Sequence, residues 1–112
     1  MEISIAKDFS IIPGARFPEE GDFSGQDFRR KLLLPKLKEA INSNDFLYVI
    51  LDGTAGLGTS FLEEAFGGLI REDNISYESI KSHLRFVSDE DPEYIDEIYE
   101  YIEDAHAQAT CK

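Results

Sequence analysis

Tryptophan is absent from this chain of 112 residues, methionine and cysteine occur once each, and histidine twice. A single cysteine, Cys111, excludes an internal disulfide, and its position beside the last residue reads as an incidental thiol on a frayed tail. His83 and His106 stand far apart with no cysteine pair near them, so the usual transition-metal spacings are missing. Both are expected on the surface, and no metal or cofactor is expected. Apolar runs stay far below the roughly 18 residues that span a bilayer. Positive charge is scarce: 11 basic residues face 23 acidic ones, a net charge of -12. Such a chain repels polyphosphate backbones and anionic membrane surfaces, so neither nucleic acid nor a membrane is expected as a partner. The opening MEISIAKDFS lacks the basic segment and long apolar stretch of a secretory signal, so the expected compartment is cytoplasmic.

What is present suffices for a single domain over 1–112. Eight Phe, five Tyr and a 42% hydrophobic share can fill one core, and the length is too short for two. Glu2 to Ile5 alternates as a half-buried strand. Ile12 to Gly25 is a Gly- and Pro-rich connection with room for an extended piece at Ala15 to Phe17. Ser24 opens SGQD, a hydroxyl cap with an acid three residues on, and the stripe Phe28, Leu32, Leu33, Leu37, Ala40, Ile41 predicts a helix from Gly25 to Ile41, with a kink or a restart at Pro35.

FLYVIL, from Phe46 to Leu51, reads as a central strand covered on both faces. Thr59 to Glu72 is the second helix; its Gly67–Gly68 pair weakens helical propensity and implies close packing, with a strand as the expected neighbour. A short helical turn at Ser76 to Lys81, a strand at Leu84 to Val87 and an acidic C-terminal helix over 89–107 complete the pattern. Two successive strand, helix, strand crossovers predict an α/β fold with a largely parallel or mixed sheet and packed helices.

The turn DGTAGLGTS between the central strand and second helix carries the chemistry. Gly53 and Gly58 have P-loop spacing, but Thr59 stands where the motif needs lysine. Gly56 and Gly58 start a dinucleotide fingerprint that fails at Phe61, and Gly58, Thr59 and Ser60 start a nucleophile elbow that fails at Leu62. No catalytic residue is assigned. The hydroxyls of Thr59 and Ser60 are left as helix caps, an anion site or a modification site. In the anion reading, the turn of Asp52, Gly53, Gly56 and Gly58 holds a small anion or nucleotide through the amides of Gly56 to Ser60, with Arg16 as a loop contact.

The central segment resembles the STAS domain of anti-sigma-factor antagonists, in which a strand ending in an acid and glycine leads to adjacent hydroxyl residues opening a helix. The sequence is similar, more narrowly, to the STAS-like DUF4325 family, through SGQDFRRKLLLPKL at Ser24 to Leu37 and GTSFLEEAFGGL at Gly58 to Leu69. The resemblance runs from about Glu2 to Val87. It implies a non-catalytic regulatory domain with Ser60 at the phosphorylated position and Thr59 as the reserve. The implied partner is a regulatory protein, an ATPase of the histidine-kinase type. Gly58 replaces the Asp that typical antagonists carry before the hydroxyl pair, and Phe61 replaces their Gly.

Overall fold

Alternation at the start of the chain produces β1, Glu2–Ser4; the apolar run produces β2, Leu47–Ile50; and β3 spans Leu84–Val87. The computed structural model, which describes residues 1–110, joins them as a three-stranded parallel sheet in the order β1-β2-β3. In register, Ile3 lies beside Val49 and Val49 beside Phe86. The expectation for Cys111 falls outside the described residues.

The first helix starts where its cap predicts, with the Ser24 Oγ accepting from the Asp27 amide at 3.1 Å. α-Helical turns at Gly25–Phe28 and Leu34–Ser43 flank a π-helical stretch at Arg29–Leu33; together they form α1, residues 25–43. Proline cannot donate to the preceding turn, and the ladder widens ahead of it: the Leu34 amide reaches back five residues to the Arg29 carbonyl, and the α-helix restarts with Pro35 in its first turn. Of the kink or restart expected at Pro35, the structure shows the restart. Thr59–Leu62, a second π-helical stretch at Glu63–Gly67, and Gly68–Arg71 form α2, residues 59–71. α3 is Tyr77–His83, capped by Ser76, and α4 is Glu93–Thr110. No strand forms at Ala15 to Phe17. Bonds from the Gly14 amide to Phe23 and from the Gly25 amide to Ala15 hold that segment as a loop, with a 3₁₀ turn at Pro18–Glu20.

One expectation about the sheet is corrected. β2 is central, but it is covered on one face only: Leu47 and Val49 are buried while Tyr48 is 41% exposed. Right-handed connections between neighbouring strands taken in sequence place every crossover helix on the same side. α4 joins that layer, with Tyr99 edge-on to Phe86 of β3 at 5.5 Å. Within the layer, Phe28 of α1 packs against Phe61 and Phe66 of α2 at 5.7 and 6.4 Å, and Phe66 meets Phe86 at 5.3 Å. Each fully buried ring contributes about 2–3 kcal/mol. Gly25 allows the helices this close, because a Cβ there would come within 2.6 Å of the Phe61 carbonyl oxygen.

Candidate functional site

Because the strands are parallel, the segments leaving β2 and β3 emerge at the same edge of the sheet, where open α/β sheets place their sites. The turn that follows β2 is tied down by its neighbours. Asp52 accepts from the amides of Asp89 and Glu90 at 3.0 and 2.8 Å, clasping the segment after β3. Glu90 returns a carboxylate oxygen to the Gly53 amide at 2.7 Å. The Ala55 amide donates to the Ile11 carbonyl at 2.7 Å, and the Leu57 amide to the Tyr94 hydroxyl at 3.2 Å. Gly53 and Gly56 hold positive φ of 94° and 158°, the first in the left-handed region that favours glycine. Gly58 is extended at φ -74°, ψ 153°.

Gly58, not a hydroxyl residue, is the N-cap of α2. This overturns the capping role considered for Thr59 and Ser60, which are already the first two helical residues. Glycine serves at that position at a cost of only a few tenths of a kcal/mol. Thr59 and Ser60 are exposed, and neither hydroxyl makes a hydrogen bond among the described residues. Beside the turn, the loop pinned to Ala55 presents Ile11 and Ile12 at 60% and 66% exposure. Two large apolar side chains and two neutral hydroxyls are therefore exposed on segments joined to the same turn.

A cleft of about 170 Å³ separates the turn from the segment after β3, and Asp52, Glu90 and Asp91 line it. Carboxylates so placed repel anions. Larger surface clefts of about 390 and 460 Å³ lie elsewhere, one between the end of α2 and α4 and one between α1 and α3. Among the described residues, no group of three or more His, Cys, Asp and Glu side chains is placed to hold a metal ion, and no helix is long and apolar enough to cross a membrane.

Arg16 does not reach the turn. Its guanidinium pairs with Glu63 and, at 3.7 Å, with Glu64. It joins an ion network between α1 and α2 that the sequence reading missed. Arg29 is fully buried; it pairs with Glu64, donates to the Glu64 carbonyl at 2.8 Å, and holds Asp73 at 2.8 Å through its Nε. Arg71 bridges Glu63 and Glu64 at 2.5 and 3.2 Å. Burial pushes the Glu63 carboxyl up, but hydrogen bonds and charge from Arg71 and Arg16 outweigh it and hold the group below the usual carboxylate range. Gly68 faces the Arg29 guanidinium with no room for a Cβ, and Gly67 lies against the Glu63 side chain and the Tyr101 carbonyl of α4, so the close neighbours expected for the pair are an arginine from α1 and groups on α2 and α4 rather than a strand. Sequence signals for this were the glycine pair and two adjacent glutamates inside an apolar run. His83 places Nδ1 2.9 Å from the Asp45 carbonyl oxygen and His106 stacks on Tyr77 at 4.5 Å, so neither is aimed at Ser60.

Residues 24–94 match a family described as a STAS-like domain of unknown function, DUF4325. The match begins at the cap of α1 and ends in the first turn of α4, taking in the turn, both hydroxyls and the Arg29–Glu64 pair. No curated protein and no solved structure matches the chain.

Proposed function

The chain belongs to the STAS-like DUF4325 family, and from that premise we propose that it is a non-catalytic, cytoplasmic interaction domain switched by phosphorylation of Ser60, with Thr59 as the second acceptor. The observation that carries the reading is the pair of exposed hydroxyls at the start of α2, free of any capping bond, on a turn to which the apolar Ile11–Ile12 loop is also bonded. An acceptor hydroxyl has to be reachable by a kinase, and a partner needs apolar surface to bury. A phosphate on Ser60 sits at a helix N-terminus, where the dipole and unpaired amides favour negative charge, so the domain itself stays folded. The cost falls on the complex, because a partner surface that accepts a neutral hydroxyl has to desolvate and repel a dianion. The partner in this reading is a regulatory protein, an ATPase of the histidine-kinase type.

Phosphoserine installed at position 60 tests the switch against a partner recovered from the native cell. Unmodified protein and Ser60→Ala should bind alike, and the phosphorylated form at least roughly tenfold more weakly. Equal binding of all three would remove the switch and leave the interaction role standing. Mass spectrometry of the native protein should locate the phosphate on Ser60 or Thr59.

The other reading, a small-anion or nucleotide module, has less support. Of the amides from Gly56 to Ser60, that of Leu57 is already taken by the Tyr94 hydroxyl, Arg16 is held by glutamates, and carboxylates line the adjacent cleft. Calorimetric titration with phosphate and with nucleotides is expected to give no binding heat.

A further inference from the structure

We infer that the bare face of the β-sheet is a self-association surface, on which a second copy of this chain docks about a two-fold axis running along β2 over Tyr48. The inference is independent of phosphorylation at Ser60.

Parallel sheets are almost always covered on both faces. Here α1, α2, α3 and α4 occupy one side, and the opposite face consists of Glu2, Ser4, Tyr48, Ile50, Arg85 and Val87. Its centre is aromatic. Tyr48 and the adjoining Phe46 are 41% and 42% exposed with ring centroids 6.4 Å apart, and the Arg85 guanidinium lies 4.9 Å from the Phe46 centroid. At the free edge of β1 the Ser4 amide is already occupied, donating to the Asp8 carboxylate at 2.8 Å, which disfavours an incoming strand there. That directs association at this end to the face rather than the edge.

Charge selects the occupant. Glu2, Tyr48 and Arg85 lie in register across the sheet, a negative, a neutral and a positive side chain spaced by about 4.8 Å per strand. A two-fold axis along β2 reverses this row, so Glu2 meets Arg85 of the second copy at both ends while the Tyr48 rings meet in the middle. An axis across the strands would set Glu2 against Glu2 and Arg85 against Arg85. The favoured arrangement also keeps the two sets of strands nearly aligned, the common geometry of face-packed sheets, and it is isologous, as two-fold dimers are. Elsewhere the net charge of -12 opposes self-contact, whereas this row is neutral. Strands of three and four residues make a small face, so the dimer belongs to the weak, transient class.

Sedimentation equilibrium on the full chain, from about 10 µM to about 1 mM, tests this. The mean mass should climb from 12.7 kDa toward twice that value with concentration. Glu2→Arg and Arg85→Glu should each weaken the dimer roughly tenfold, the double variant should recover most of the loss, and Tyr48→Asp should abolish association. Arg85 also donates to the Lys81 and Leu84 carbonyls, so if Arg85→Glu melts early by circular dichroism, Glu2→Arg and Tyr48→Asp, both at exposed positions, carry the test. A chain that stays at 12.7 kDa up to the highest concentration overturns the inference. So does a dimer indifferent to Tyr48→Asp, or a double variant no tighter than its single parents.

Discussion

Arg29 is the residue whose environment departs furthest from its chemistry, a guanidinium with no exposed surface on a helix that reads as amphipathic. Removing one partner of a buried ion pair strands the others, so Arg29→Met should take from the 2%-exposed Glu64 its buried partner, leaving it Arg71 and Arg16 at the rim, strip Asp73 of its guanidinium, and lower unfolding stability in urea by about 3 kcal/mol. Arg29→Met combined with Glu64→Leu should recover much of that loss, since a packed apolar pair avoids the desolvation of two charges. Gly68→Ala should also destabilise: the guanidinium it would strike is locked by Glu64 and Asp73 and cannot swing away. Glu63 gives a pH signature. Its carboxyl titrates near 4.5 when unfolded and lower in the fold, so its contribution is complete above about pH 4.5 and disappears as pH falls through the lower folded value. Glu63→Gln should flatten that part of the profile of melting temperature against pH; an unchanged profile would mean the carboxyl is not held low. Little of this network was legible in the sequence. Helical periodicity does not separate buried Arg29 from exposed Arg30, because burial depends on which helix lies opposite, a contact made across 35 residues.

α1 and α2 begin alike in sequence, each with a glycine beside a hydroxyl residue, yet are capped differently. Ser24 is fully buried and bonds the Asp27 amide, whereas Gly58 caps α2 without a side chain. Ser24→Ala should therefore cost about 1 kcal/mol in equilibrium unfolding, while Thr59→Ala and Ser60→Ala should stay within about 0.5 kcal/mol of wild type. A cap-sized loss at Ser60 would mean that its hydroxyl is occupied by the fold and unavailable for a switch. Element positions were legible because apolar spacing of two or three to four residues marks strand and helix directly. Their surroundings were not. Six consecutive apolar residues from Phe46 to Leu51 look the same whether a strand is covered on one face or two, and only the order of the strands and the hand of their connections decided. The candidate turn was placed correctly between β2 and α2, but its ties to Glu90, Ile11 and Tyr94 depend on where the chain returns, which local pattern does not encode.

At the scale of the whole molecule, charge is distributed unevenly. Arg16, Arg29 and Arg71 are engaged with acids near the contact of α1 and α2, while the stretch from Asp89 to Asp104 holds nine carboxylates and no basic residue. Those in the first turn of α4 favour its dipole, whereas Glu103 and Asp104 lie beyond the middle of the helix, where they gain nothing from it and add to the repulsion. Self-repulsion among exposed carboxylates is long-ranged and screened within about 10 Å at 0.1 M salt, whereas the buried Arg29 pairs are screened far less. The two contributions therefore respond differently to ionic strength. If repulsion along α4 dominates, the melting temperature should rise as sodium chloride is increased from about 20 mM to about 500 mM, and Glu103→Lys with Asp104→Lys should raise the low-salt value and shrink the salt effect. A melting temperature that falls with salt would assign the larger share to attractive pairs instead. Because the repulsive helix and the ion network occupy the same layer above the sheet, the outcome also bears on how that layer holds. A rise would mean that apolar packing, through contacts such as Phe86 with Tyr99, keeps α4 in place against its own charge.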